Sequence, residues 1–402
     1  MFDFSTSIKN LRSSEIRRLM SLSADPSIIS FTGGMPSNSI FPVNVIDEIW
    51  EGLSLSEKQA AFQYGTTTGY PPLIESLKTY LKSKGMTVDD SQRLIITTGA
   101  QQAINLITKT FIDPGDRIVT EYPSFIGALA AFKSYGAIIK GIEMDNDGMI
   151  IENLAKILSD AKLKPKILYL SPFFHNPAGI IYSKDRKSAL IDMLNGTTIC
   201  LLEDDPYGEL YFNEKDRELT LPIKALAKER FPLCYVGSFS KIFGPGMRLG
   251  WLFGPAEVVD KCELAKQSID ACSPTFTQVL AHQFFEKNKF PDFVASLRKD
   301  CAKRAGIMLD ALEKTMPEGV SWTRPKGGFY IWVTMPPHCD ASKVFTIAIK
   351  KGAAFVIGRV FDPEDKKNNC FRLAFSFTPE EKIETGVRII AEAVKQLLSG
   401  KK

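Results

Sequence analysis

Between Arg93 and Gly254 the chain repeats one pattern, a short apolar run followed by an amphipathic or turn-rich stretch. The runs are Leu94–Ile96, Arg117–Thr120, Ile138–Ile142, Ile167–Leu170, Thr197–Leu202, Leu233–Val236 and Leu249–Phe253. Runs this short and this apolar suit strands buried on both faces, and the segments between them suit helical crossovers. The repetition therefore predicts an α/β fold whose mostly parallel sheet is covered by helices on both sides. After T-T-G-A, the residues Ala103, Leu106, Ile107, Thr110 and Phe111 form a helical stripe closed by D-P-G-D, so a strand passes through a tight turn into a helix N-terminus.

Past Pro291 the texture changes. A charged amphipathic segment (Asp292–Lys314) precedes three runs (Gly328–Val333, Ala353–Ile357, Phe371–Phe375) and a closing helix from Pro379 to Leu398. This predicts a smaller α+β domain over 291–402, joined by an N-terminal segment, 1–41, with the large domain spanning 42–290. A chain of 402 residues is long enough for two or three such units. The balance of 50 basic and 46 acidic side chains, with no basic cluster among aromatics, argues against nucleic-acid binding. Seven scattered cysteines without C-x-x-C spacing and only three histidines indicate neither a metal site nor a disulfide framework. With no apolar leader and no apolar run of about 18 residues, the expectation is a soluble, cytoplasmic protein that does not engage membranes.

Chemistry concentrates in Val236–Trp251, V-G-S-F-S-K-I-F-G-P-G-M-R-L-G-W. A lysine amine (Lys241) can form a Schiff base with an aldehyde, and two hydroxyls (Ser238, Ser240) with a guanidinium (Arg248) can hold a phosphate dianion beside it. Together they suggest pyridoxal 5'-phosphate (PLP). Taken alone, S-x-S-K is explained as well by a loop lysine and a surface arginine.

Other segments supply complementary groups. The turn at Gly99-Ala100-Gln101 opens a helix, whose free N–H groups favour an anion, although an ordinary βα turn has the same sequence character. In Glu203-Asp204-Asp205-Pro206-Tyr207 the side chains of a strand end alternate, so only one of the two aspartates can reach a given site. That carboxylate can keep a pyridine nitrogen protonated, with Tyr207 bonded to the ring hydroxyl oxygen, or the segment is an acidic turn. Asn176, in S-P-F-F-H-N-P-A-G, is short enough to donate to the same oxygen from a rigid loop. His175 beside it receives no role. Arg372 stands inside the apolar strand F-R-L-A-F and needs an anion, from the protein or from a substrate.

In sequence order, I-S-F-T-G-G-M-P (29–36), Tyr64 before G-Y-P-P-L, T-T-G-A-Q-Q (97–102), E-Y-P-S-F (121–125), H-N-P-A-G (175–179), E-D-D-P-Y (203–207), S-F-S-K (238–241) with Arg248, and F-R-L-A-F-S (371–376) span nearly the whole chain. The set resembles the fold type I PLP-dependent aminotransferases, in the branch of α-aminoadipate, kynurenine and aromatic amino acid aminotransferases. The resemblance implies Lys241 as the Schiff-base lysine and general base. It implies Ala100, Gln101, Ser238, Ser240 and Arg248 at the phosphate, Asn176 and Tyr207 at the ring hydroxyl, and Asp204 at the pyridine nitrogen. Phe125 would stack on the ring, where the family often has Tyr or Trp. Arg372 would clamp the substrate α-carboxylate, with Gly34 and Arg17 on the substrate side. Tyr64 would reach the cofactor of a partner subunit, which implies a homodimer with shared sites. Where the family usually has a P-G turn, this chain reads Val356-Ile357-Gly358-Arg359.

The implied activity is transfer of an amino group from an aromatic, 2-aminoadipate or similar L-amino acid to a 2-oxo acid, with 2-oxoglutarate as acceptor, in two ping-pong half-reactions. Phe125, Tyr70, Phe31, Met35 and the F-G-P-G-M stretch suggest an apolar side-chain pocket, whereas Arg17 and Arg359 suit an acidic one. The competing expectations are a β-eliminating lyase using the same contacts and a non-catalytic, PLP-binding regulatory module.

Overall fold

After a two-residue strand, β1 (Ile29–Ser30), all seven apolar runs between Arg93 and Gly254 become strands of one sheet in the computed structural model, which describes residues 2–9, 25–160 and 162–400. They are β2 (Gln92–Thr97), β3 (Arg117–Tyr122), β4 (Ile138–Asp145), β6 (Ile167–Leu170), β7 (Cys200–Asp205), β8 (Leu233–Ser238) and β9 (Gly250–Pro255). An eighth strand, β5 (Gly148–Met149), has only two residues, too few to show a period in sequence. The order across the sheet is β2-β9-β8-β7-β6-β3-β4-β5. Neighbours from β8 through β4 are parallel, whereas β9 is antiparallel to both β2 and β8, and β5 to β4. The sheet is therefore mixed, with most strands pointing one way.

Residues of β6, β7 and β8 are buried throughout. Alternation divides them, and those of β9, between two layers: Tyr169, Leu202, Val236 and Leu252 pack with the helix Ala100–Phe111, while Leu168, Leu201, Tyr235 and Trp251 pack on the opposite side. Ala103, Leu106 and Ile107 of the predicted stripe are fully buried in that helix.

Further on, β10 (Ser321–Trp322), β11 (Tyr330–Thr334), β12 (Ala353–Ala354), β13 (Val356–Ile357) and β14 (Cys370–Ala374) accompany the helices Phe290–Thr315 and Glu380–Leu398. An antiparallel sheet runs β10-β11-β14-β13, and β12 pairs in parallel with β1. The expected single strand Ala353–Ile357 is thus two. It breaks at Phe355, whose buried ring packs against Phe345 and Phe371. Among the described residues no helix is long and apolar enough to cross a membrane.

Candidate active site

Strand direction brings the chemistry to one corner. The carboxyl ends of β2, β3, β6, β7 and β8 lie along the same edge, where an open α/β sheet offers its loops to a ligand. Because β9 runs the other way, its first residue, Gly250, and Arg248 just before it arrive at that edge too. The backbones meet there with nothing between them. A Cβ on Gly250 would come 2.8 Å from the Gly237 carbonyl oxygen and 3.0 Å from the Ala100 nitrogen, so only glycine fits.

A cavity of about 320 Å³ opens at this corner, lined by Ala100, Gln101, Phe125, Asn176, Asp204, Tyr207, Ser238, Ser240, Lys241 and Arg248, with Ser171, Pro206 and Pro245. A larger cleft of about 1180 Å³, around Lys84, Glu209 and Arg298, is lined by none of these residues.

Lys241 follows β8 and donates through Nζ to the Gly34 carbonyl at 2.7 Å. It has no carboxylate partner among the described residues. Burial, followed by the Arg372 and Arg248 guanidinium groups, lowers its ammonium to about 8. Gly34 is thus placed against the lysine.

Asp204 and Asp205 turn to opposite faces of β7, as the strand period requires. Asp205 accepts from the Tyr235 hydroxyl at 2.7 Å and from the Gly208 amide at 2.6 Å. Asp204 faces the cavity, where its Oδ2 accepts from the Tyr169 hydroxyl at 2.7 Å. Its Oδ1 is buried and has no hydrogen-bond partner among the described residues. Burial raises this carboxyl to about 7, with Tyr169 opposing and Asp205 and Glu121 adding to the shift.

Arg372, only 3% exposed, donates through Nη1 to Asn176 Oδ1 at 2.8 Å and through Nη2 to the Thr32 carbonyl at 2.6 Å. Its guanidinium lies 4.5 Å from the Tyr330 ring centre and 5.0 Å from that of Phe361. Nε is buried and has no partner, and no carboxylate pairs with Arg372 among the described residues. Of the two anions the sequence left open, a protein carboxylate is not found beside Arg372 among the described residues. With its oxygen committed to Arg372, Asn176 keeps its side-chain NH2 as donor.

Gln101 spends its side chain on the Gly127 carbonyl, 2.8 Å away, so its backbone N–H is what it can offer the cavity. The Ser240 amide donates to Ser238 Oγ at 3.2 Å. Arg248 adopts a left-handed backbone (φ 48°), which costs a non-glycine residue about 1 kcal/mol, and its Nη1 reaches the Pro245 carbonyl at 3.2 Å. Phe125 caps the helix Ile126–Ser134 at the cavity wall.

Several expected residues lie elsewhere. Tyr64 is 86% exposed and does not line the cavity of its own chain. Arg17 lies outside the described residues. Arg359 makes a two-pronged ion pair with Asp365, at 2.5 and 3.0 Å. Phe31 and Phe243, expected in the pocket, are core residues.

The sequence reading missed three contributors. Tyr169 holds Asp204, and Tyr330 contacts both Arg372 and Tyr207. Glu121, fully buried, accepts from the Ser171 amide, the Tyr182 hydroxyl (2.8 Å) and His175 Nε2 (3.1 Å). His175 Nδ1 accepts from the Ala178 amide at 3.2 Å, which leaves the ring proton on Nε2 for Glu121. His175 and Glu121 thus pin the loop that carries Asn176.

The profile of aminotransferase class I and II matches residues 35–390. An aromatic-amino-acid aminotransferase of Thermococcus litoralis is 37% identical over 98% of this chain and 94% of its own length. A 2-aminoadipate transaminase of Thermus thermophilus is 33% identical over 97% of this chain and 96% of its own. The crystal structure of Pyrococcus horikoshii kynurenine aminotransferase in complex with PMP, with KYN as substrate and KYA as product, superposes with a TM-score of 0.93 at 39% identity, covering 98% of this chain and 97% of that one.

Proposed function

Because this chain belongs to aminotransferase class I and II, and is accordingly a PLP-dependent transaminase, we propose that the corner cavity is its active site, with Lys241 as the catalytic amine. The observation that carries the assignment is one cavity holding a lysine and a buried carboxylate oxygen, Asp204 Oδ1, that among the described residues have no acidic partner and no hydrogen bond respectively. The cavity's donor set fits the cofactor: an acid for a ring nitrogen, hydroxyls and a guanidinium for a phosphate, an amine for an aldehyde. When bound, PLP supplies the carbon that takes up the amino group and a protonated ring that accepts the electron pair left at Cα.

The side chains divide the remaining work. Ser238, Ser240, Arg248 and the backbone N–H groups of Ala100 and Gln101 hold the phosphate. Phe125 covers one ring face. Asn176 and Tyr207 donate to the ring hydroxyl oxygen. Asp204 keeps the ring nitrogen protonated, which in turn stabilises the Asp204 carboxylate against its desolvation. Arg372 binds the substrate carboxylate, a pairing that orients Cα toward the Lys241 amine. Lys241, its ammonium already lowered to about 8, is suited to removing the Cα proton and returning it.

The named substrates of the relatives support an aromatic or 2-aminoadipate amino donor; we propose 2-oxoglutarate as the acceptor and ping-pong kinetics. A homodimer is supported by the exposure of Leu55, Phe62 and Tyr64, large apolar side chains of one stretch of sequence, with Phe62 packed against Trp50 and Phe276. In that assembly Tyr64 reaches the partner's cofactor. We place this enzyme in the cytoplasm, with 42–290 as the cofactor-binding domain and 291–402, joined by 1–41, as the smaller one. The pairing of β1 with β12 supports attaching the N-terminal segment to the latter.

A panel of amino donors supplied with 2-oxoglutarate tests the activity. Glutamate should form with aromatic amino acids or 2-aminoadipate. Pyruvate and ammonia released without any keto acid would instead establish a lyase. In the same panel, Arg372→Ala should raise KM for every donor by about 100-fold, the worth of two charge-assisted hydrogen bonds. A change confined to one side chain would remove Arg372 from the α-carboxylate.

A further inference from the structure

None of the roles above uses the Tyr330 side chain. The register of β11 with β14 sets Tyr330 opposite Ala374 and Trp332 opposite Arg372. Tyr330 and Arg372 are therefore diagonal neighbours on one face of the sheet, within reach of a long side chain. Tyr330 is 1% exposed, its ring lies 4.5 Å from the Arg372 guanidinium, and its hydroxyl is 2.8 Å from the Tyr207 hydroxyl. It also explains a glycine in the substrate region, because a Cβ on Gly34 would overlap the Tyr330 hydroxyl oxygen.

Phenylalanine at 330 would fill the same space and present the same ring to Arg372, so the hydroxyl must be accounted for separately. Among the described residues, each of the two hydroxyls has only the other as partner. Burial raises both phenols above their ordinary range, so both keep their protons at neutral pH. Two protons then serve one hydrogen bond between two oxygens. If Tyr207 donates to the cofactor, its oxygen is left to accept from Tyr330.

We propose that Tyr330 is a positioning residue: its hydroxyl donates to Tyr207 and turns the Tyr207 proton toward the cofactor's ring oxygen, while its ring holds the Arg372 guanidinium beside Phe361. One side chain then sets the geometry of both the cofactor contact and the carboxylate clamp. The inference rests on the assignment of Tyr207 to the ring hydroxyl oxygen.

The test is a visible-absorbance pH titration of the bound cofactor in holoenzymes carrying Tyr330→Phe, Tyr207→Phe, or both. Donation to an anionic ring oxygen lowers the proton affinity of the cofactor, so weakening it raises the apparent pKa. Tyr207→Phe should raise it most, Tyr330→Phe by roughly half a pH unit, and the double variant no further than Tyr207→Phe alone. Tyr330→Phe should leave KM for amino donors within about twofold, while Tyr330→Leu, which removes the ring, should raise it about tenfold. A shift with Tyr207→Phe but none with Tyr330→Phe would overturn the positioning role and leave the site assignment standing. No shift with Tyr207→Phe would overturn that assignment itself. Additive shifts in the double variant would mean that Tyr330 acts on the cofactor without Tyr207, and an unchanged KM with Tyr330→Leu would remove it from the clamp.

Discussion

Lys241→Ala is expected to lower kcat by about four orders of magnitude, because one change removes the proposed anchor of the cofactor and the proposed carrier of the Cα proton together. Protein treated with borohydride should then retain no cofactor through denaturing chromatography, whereas the parent enzyme should carry it covalently. Cofactor still attached after reduction would reassign the lysine. The fold is expected to tolerate alanine here, since among the described residues the one hydrogen bond of the Lys241 side chain is to the Gly34 carbonyl. A small primary amine added to the solution should restore part of the lost rate, as it can remove a proton without being tethered.

Asp204→Asn should lower kcat/KM by roughly a thousandfold, the scale expected when one member of a buried ionic pair is lost. Asparagine keeps the shape of the side chain and can still accept from Tyr169, so loss of the charge is what the variant reports. Asp205→Asn is the contrasting measurement. Asp205 is the next residue in sequence but turns to Tyr235 and Gly208, so its loss should lower the melting temperature and leave turnover within a few-fold. Equal catalytic losses in the two variants would break the assignment of Asp204 to the ring nitrogen.

Much of this arrangement was legible before any coordinates. Every apolar run between Arg93 and Gly254 is a strand, since a segment buried on both faces has little alternative at that length. Direction was harder to read. A doubly buried run looks the same whichever way it points, so a mostly parallel sheet does not by itself single out β9 as an exception. A usable signal was present: only Phe239–Leu249 joins β8 to β9, with no long helical crossover, and parallel pairing requires one. Alternation separated Asp204 from Asp205 but does not say which one faces a ligand; family resemblance supplied that choice. Tyr169 and Tyr330 carried no local signal, because their hydroxyl partners are 35 and 123 positions away in the chain. Phe31 and Phe243 illustrate the converse. They lie in chemically suggestive motifs, yet an apolar side chain looks the same in sequence whether it lines a cavity or fills a core.

The corner where Gly250 presses on Gly237 and Ala100 also bears on how such a site is inherited. There the proposed grip on the phosphate owes as much to amide groups as to side chains, and those amides are aimed by the path of the backbone. The side chains at positions 100 and 101 therefore matter to that grip less than strand polarity and the missing Cβ at 250 do. Kinship among chains that share this corner will persist in their topology after most of their letters have diverged.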